Sequence, residues 1–253
     1  MSPPPPPTGP PRHGRIYRGD CIREMQRFRD GSVDLIVTSP PYNIKRSSGN
    51  GLRCGNGGKW PQAALIGGYA TYDDAMPYDR YVSWQRDCIA EMMRVLAEDG
   101  AIFYNHKWRV QRGLIQDRRE IVGGFPVRQV IIWQRAGGIN FNPGYFLPTY
   151  EVVYLIAKPG FRLRRGANRM GDIWRITQEH NNDHPAPFPI ELAARCIGAT
   201  DARVVLDPFM GSGTTAIAAE REGRAWVGID ISREYCDGAM RRIKRARRYE
   251  VEQ

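Results

Sequence analysis

Two short stretches hold residue types whose order could do chemistry: Val33-Asp-Leu-Ile-Val-Thr-Ser-Pro-Pro-Tyr42 and Val204-Val-Leu-Asp-Pro-Phe-Met-Gly-Ser-Gly-Thr-Thr215. The first is a β-branched run that reads as a buried strand and stops in Ser39, Pro40, Pro41 and Tyr42. Prolines lock the backbone there, so a small hydroxyl and a carbonyl become acceptors unable to relax away. The second stretch reads as strand, tight turn and helix. Gly211 and Gly213, flanking Ser212, let the backbone pass close to a ligand docked against a helix N-terminus near Thr214. Asp230 follows nineteen positions after Gly211, at the end of the next expected strand, placed to accept hydrogen bonds from a ribose.

Two cofactors compete for that turn. Gly211-x-Gly213-x-x-Ala216 satisfies the dinucleotide fingerprint, which keeps a nicotinamide cofactor in play. Asp207, just before the glycines, would repel a pyrophosphate but could hold an ammonium group, and Phe209 adds apolar surface beside it. S-adenosylmethionine matches this chemistry, with adenosine for Asp230 and a zwitterionic methionine end for the Asp207 turn. A phosphate loop is excluded because no Lys follows the last glycine. A tight turn with no ligand is the remaining reading.

The elements that must position these residues follow from length and pattern. At 253 residues and 42% hydrophobic content, the chain can bury one large core, so a single α/β domain with insertions is expected. The 37 Lys plus Arg against 27 Asp plus Glu leave a formal charge of +10, which favours a polyanionic partner. Cys21, Cys54, Cys88, Cys196 and Cys236 are scattered and lack zinc-ligand spacing, and His13, His106, His180 and His184 form no metal motif. No metal site is therefore expected, and the thiols read as reduced, in a cytoplasmic protein. No apolar run reaches the ~18 residues of a membrane span, and no signal-peptide core opens the chain.

Residues 1–13, with Pro3 to Pro7 in one block, are expected to form a disordered arm, and 14–253 the domain. Strands are expected at Ile16-Tyr17, Val33 to Thr38, Ala101 to Tyr104, Val127 to Trp133, Tyr150 to Ala157, Val204 to Leu206 and Trp226 to Ile229. Helices are expected over Cys21 to Phe28, Val82 to Leu96, from near Trp108, from Pro189 to about Ile197, over Thr214 to Glu222, and from Arg233 to about Arg248. Asp99-Gly100 reads as a turn, 45–77 as a mobile Gly-rich loop, and 135–183 as an insert whose later part, Phe161 to Asp183, is basic and aperiodic. This alternation implies a mostly parallel central sheet with helices on both faces.

LDPFMGSGTTAIAA followed by WVGIDIS resembles the cofactor motif of the amino DNA methyltransferases, and TSPPYN resembles their catalytic tetrapeptide. Their order along the chain resembles the permuted β group of that family, over most of Gly14 to Tyr249. The resemblance implies a Rossmann-like S-adenosylmethionine-dependent methyltransferase fold. It also adds Asp20 and Cys21 on the adenosine side and His184 and Phe188 on the methionine side to Asp207, Phe209, Gly211, Ser212, Gly213, Thr214, Asp230 and Ile231 as cofactor contacts. Phe188 stands where the family's usual motif has Lys, which removes the cationic contact expected there.

The opening turn then acquires a purpose. An exocyclic amine on a nucleobase is a poor nucleophile because its lone pair is delocalised into the ring. Acceptors at its N–H groups draw the nitrogen toward tetrahedral geometry, a task for the Ser39 hydroxyl and the Pro40 carbonyl. Tyr42 is expected to offer a face for the extruded base, and the reaction proton to leave to water. Ser in the first position resembles the cytosine-N4 enzymes and Asp the adenine-N6 enzymes, so cytosine N4 in duplex DNA is the expected target. Adenine N6, RNA and protein glutamine are the alternatives. Lys45, Arg46, Arg53 and Lys59 in the loop, and Arg135, Asn140, Arg164 and Arg165 in the insert, are candidate DNA contacts. The basic run from Arg241 to Arg248 reads either as phosphate-holding or as a solvated face. Self-association and a cognate restriction endonuclease are suggested by the resemblance alone.

Overall fold

Eight strands make one sheet: β1 (Arg15–Arg18), β2 (Val33–Thr38), β3 (Leu96–His106), β6 (Val127–Gln134), β7 (Tyr150–Ala157), β8 (Ile173–Arg175), β9 (Val204–Asp207) and β10 (Ala225–Asp230). Their spatial order is β1-β10-β9-β2-β3-β7-β6-β8. β4 (Arg109–Gln111) and β5 (Leu114–Gln116) form a separate antiparallel ribbon. The computed structural model describes residues 14–43, 76–111, 114–135, 140, 142–178 and 188–251. The proposed arm 1–13 and residues 45–75 of the proposed loop lie outside them.

All pairs from β1 to β3 are parallel, whereas β7 runs antiparallel to both β3 and β6. Side chains alternate across the sheet with the period of two that strands impose. Leu35, Val37, Ala101, Phe103, Val153 and Leu155 point into one core, where α4 (Ile190–Gly198), α5 (Thr214–Arg221) and α6 (Arg233–Val251) contribute Leu192, Ile217 and Ile243. Ile36, Ile102, Tyr104, Val152 and Tyr154 point into the other, with Met25 of α1 (Cys21–Met25), Ile89 of α2 (Tyr78–Val95) and Ile121 of α3 (Arg119–Val122). Continuous apolar strands buried on both faces are what a parallel sheet requires.

The connections leave β2 toward β3 and leave β9 toward β10, in opposite directions, although β2 and β9 are neighbours. A switch point of this kind opens a crevice beyond the carboxyl ends of the two strands, because their following helices diverge to opposite faces. Asp34 secures the junction: its Oδ2 accepts the N–H groups of Arg203 at 2.8 Å and Val204 at 2.9 Å, fixing where β9 starts beside β2.

Three expectations need correction. The chain near Trp108 forms the β4–β5 ribbon, since Leu114 and Ile115 stay 74% and 61% exposed and no apolar face is available for a helix to bury. Asp99-Gly100 lies inside β3, at a bulge where Val33 pairs with Leu96 but Leu35 with Ala101. A Cβ on Gly100 would sit 2.8 Å from the Asp34 carbonyl, so close approach accounts for this glycine. The aperiodic stretch from Phe161 is partly architecture: β8 adds to the sheet edge beside β6, and Phe161, Trp174 and Ile176 are core residues. A three-residue edge strand is too short to show a period in sequence.

Candidate active site

A cavity of about 260 Å³ opens at the switch point. Four strand ends build its wall: Gly19, Asp20 and Cys21 after β1, Asp230 and Ile231 at the end of β10, Pro208, Phe209 and Gly211 after β9, and Ser39 and Pro41 after β2. Met76, Trp84 and Tyr235 close it. Trp84 meets Phe209 edge to face at 5.8 Å, giving the cavity an aromatic side. Sequence reasoning missed Trp84 and Tyr235, because each looks like any other amphipathic-helix aromatic until tertiary packing turns it inward.

On the polar side, Asp230 accepts the Gly211 N–H at 2.9 Å and the Ser232 N–H at 2.8 Å. Burial pushes its carboxyl above the ordinary carboxylate range, against the pull of those two N–H groups. Each oxygen keeps a lone pair for a diol. Asp20 caps α1 through the Arg23 N–H at 3.0 Å and also faces the cavity. Cys21 lies 3.6 Å from Cys88, sulfur to sulfur. Burial, reinforced by Cys21, pushes the Cys88 thiol well up.

Asp207 plays a different part from the one its position in the motif suggested. It is 2% exposed and absent from the cavity wall. Its carboxylate accepts Thr38 Oγ1 at 2.6 Å, Thr215 Oγ1 at 2.8 Å and the Phe209 N–H at 3.1 Å. Thr215 also reaches the Val37 carbonyl at 3.1 Å, so β2, β9 and α5 are tied at one point. Burial raises Asp207 to about 6 despite those three donors.

Ser212 and Thr214 likewise turn away: Arg242 of α6 donates to the Ser212 carbonyl at 3.2 Å and to Thr214 Oγ1 at 2.9 Å. Gly213 has φ +82°, and a Cβ there would press on Ala239 at 3.2 Å and Ile243 at 3.3 Å. Its glycine is required by the approach of α6. Of the motif's glycines, only Gly211, with φ +49°, lines the cavity.

The Ser39 turn is anchored from behind. The Pro41 carbonyl accepts Tyr81 Oη at 2.8 Å and Gln85 Nε2 at 3.3 Å, both from α2. Ser39 Oγ lies 2.7 Å from Tyr42 Oη, which donates to Glu151 Oε2 at 3.1 Å. Asn105 Nδ2 reaches Tyr42 Oη at 2.7 Å, Glu151 Oε2 at 3.1 Å and Ser39 Oγ at 3.3 Å. Arg135 pairs with Glu151 Oε1 at 3.4 Å. Tyr42 is only 4% exposed and its ring lies against His106 with centroids 4.9 Å apart, so its expected role as an open stacking surface is replaced by that of a hydroxyl in this network.

Other expected contacts separate. Phe188 is packed in the core beside Leu192 and is not part of the cavity wall. His184, Lys45, Arg46, Arg53 and Lys59 lie outside the described residues. Arg135 is half-buried against Glu151, while Asn140 spends its amide on the carbonyls of Asn142 and Tyr145. Arg164 and Arg165 are exposed, but the Arg164 N–H binds the Ala199 carbonyl, at the loop that feeds the start of β9. Ser39 follows the opposite end of the neighbouring β2, roughly 20 Å away for strands of this length. Neither Arg is part of the cavity wall. Met76 and Pro77, the end of the expected loop, are held at the cavity, where Asn43 Nδ2 donates to the Met76 carbonyl at 2.7 Å.

The two turns, separated by about 170 positions in the chain, thus share one cavity, and residues 33–241 that hold them match the DNA methylase family of N6 and N4 methyltransferases. The chain belongs to this family. It is similar to the type II methyltransferase M.BglII of Bacillus subtilis, with 27% identity over 92% of this chain and 69% of that protein. It is also similar to M.HpaI of Haemophilus parainfluenzae, with 25% identity over 90% and 74%. Among solved structures, a proposed DNA modification methylase of Thermus thermophilus, complexed with S-adenosyl-L-methionine, superposes with a TM-score of 0.65 at 27% identity, covering 92% of this chain and 93% of that one. The cytosine-N4-specific PvuII DNA methyltransferase superposes at 0.70 with 18% identity over 95% and 93%, a likeness of fold. As in these methylases, the sheet is mixed α/β with helices around it. Among the described residues no helix is long and apolar enough to cross a membrane, and no group of three or more His, Cys, Asp or Glu could hold a metal ion.

Proposed function

We propose that this methyltransferase transfers a methyl group to the exocyclic N4 amine of cytosine in duplex DNA, with the base flipped out of the helix. S-adenosyl-L-methionine is the cofactor, and the cavity fits it: among the described residues no Lys or Arg lines the wall to bind a phosphate, while Asp230 suits a ribose and Trp84, Phe209 and Ile231 an adenine. The bound cofactor supplies an electrophilic methyl group. The observation that carries the reading is Ser39, an uncharged hydroxyl on the rim of the cofactor cavity, on a turn whose Pro41 carbonyl is pinned by Tyr81 and Gln85. Held this way, Ser39 Oγ and the Pro40 carbonyl accept from the amine and keep it in line with the methyl group, and positioning supplies most of the rate.

DNA approaches from the carboxyl ends of the parallel strands. The β6–β7 connection lies at that end, because Gln134 pairs with Tyr150 and Val152 with His106. Phe146, 97% exposed within it, is suited to filling the space left by the extruded base. The similarity to two type II methyltransferases supports a restriction–modification role beside a cognate endonuclease. Incubation with cofactor and mixed-sequence duplex DNA, digestion to nucleosides and mass spectrometry tests the reading. N4-methylcytosine is expected. N6-methyladenine would keep the mechanism and overturn the base.

A further inference from the structure

We propose that Glu151 and Asn105 are positioning residues that set the direction of the hydrogen bond chain ending at Ser39, and that Glu151 takes up the proton released by the reaction. This rests on the exocyclic-amine reading above. Tyr42 has one proton and donates it to Glu151 Oε2. Glu151, ion-paired with Arg135 through its other oxygen, is a carboxylate that can only accept. The 2.7 Å contact between Ser39 and Tyr42 therefore carries the Ser39 proton. Asn105 Nδ2 donates to Tyr42 Oη at 2.7 Å, so Asn105 and Ser39 take its two acceptor positions while its one proton stays on Glu151. With one lone pair met by Asn105 Nδ2 at 3.3 Å, Ser39 Oγ keeps the other as an acceptor facing the cavity. A freely rotating serine could turn its proton toward the amine, and a donor there opposes the lone pair that must attack.

The network is costly to build, which argues for a role beyond stability. Glu151 is 6% exposed, and the Arg135 Nε and Asn105 Oδ1 atoms are buried without a hydrogen-bond partner. Each such atom carries the desolvation penalty of a polar group left without a partner. A buried ion pair is seldom worth its desolvation against apolar residues of the same volume.

The proton has a path. As the new N–C bond forms and the C–S bond breaks with its electrons left on sulfur, the amine nitrogen becomes positive. Its proton passes to Ser39 Oγ while the Ser39 proton moves to Tyr42 Oη and the Tyr42 proton to Glu151. Ser39 and Tyr42 end neutral, and the carboxylate ends as the acid. The groups facing Glu151 are Tyr42 beyond β2, Asn105 on β3 and Arg135 beyond β6, with His106 of β3 behind the Tyr42 ring.

Single-turnover methylation of duplex DNA by Glu151→Gln, Tyr42→Phe and the double variant tests the chain, alongside cofactor and DNA binding titrations. Each single variant is expected to slow methylation by at least about tenfold with binding constants within about twofold, and the double to be no slower than the slower single. Glu151→Asp recovers part of the rate. Unchanged rates in Glu151→Gln and Tyr42→Phe would overturn the proposal, as would single effects that multiply. Tyr42→Phe keeps the ring on His106 and decides the matter should Glu151→Gln fail to fold. Wild-type protein that methylates no exocyclic amine brings down the functional reading and the proposal together, whereas normal N4 methylation by both variants brings down the proposal alone.

Discussion

With 2% of its surface exposed, Asp207 carries nearly the whole burial penalty of a carboxylate, and its titration reaches about 6 from an ordinary 3.8. A folded-state value above the unfolded one means that the folded protein holds the proton more tightly. Stability from this group is therefore complete below the unfolded value and is lost as the pH rises through about 6. About two pH units at about 1.4 kcal/mol each make the loss at pH 8 roughly 3 kcal/mol. Asp207→Asn removes it without breaking the site. The amide oxygen still accepts from Thr38 and the Phe209 N–H, and the amide nitrogen donates to Thr215 Oγ1, whose own proton then turns wholly to the Val37 carbonyl 3.1 Å away. The variant should be more stable than wild type by about 3 kcal/mol at pH 8 and by about half of that at pH 5. For 253 residues this corresponds to a rise of roughly 6 °C in Tm at pH 8. Thermal unfolding followed by circular dichroism across pH 5 to 8 measures it. A less stable variant at pH 8, or a difference that ignores pH, would refute the reasoning. Because Asp207 does not line the cavity, cofactor affinity should change by less than about threefold, and a loss of tenfold or more would return this residue to the cofactor contacts.

Ser39→Ala should lower single-turnover methylation by about a hundredfold or more while cofactor affinity holds; equal loss of both in a binding titration would make Ser39 a folding or cofactor residue. Gly213→Ala forces a side chain onto φ +82° and against Ala239 and Ile243, so chemical denaturation should show a loss of about 1–3 kcal/mol. Trp84→Ala takes away an aromatic wall of the cavity and the partner of Phe209, and isothermal titration should find cofactor affinity about tenfold weaker with the far-UV spectrum unchanged.

The strands Val33–Thr38 and Tyr150–Ala157 were legible residue for residue, because strands buried on both faces need unbroken apolar and β-branched runs. The helix beginning after Pro189 was equally legible. Proline at the start of a helix and glycine at a turn act through their own backbone geometry, which no distant contact alters. The two motifs were readable for the same reason, since Ser39 to Tyr42 and Asp207 to Thr215 each act within one turn of chain.

Which side chains of those motifs face the ligand was decided elsewhere. Arg242, more than twenty-five positions after Ser212, turns Ser212 and Thr214 away from the cavity, and Thr38 draws Asp207 behind its wall. Glu151 and Asn105 carry no local signal at all: they sit inside strands that read as plain β-structure. They meet Ser39 because β3 lies beside β2 and pairs with β7 so that Asn105 stands opposite Val153. A serine fated to end a strand is a property of the sequence, written in short-range sterics and burial. Whether that serine donates or accepts depends on partners brought from over sixty and over one hundred positions away, which only the packed sheet supplies.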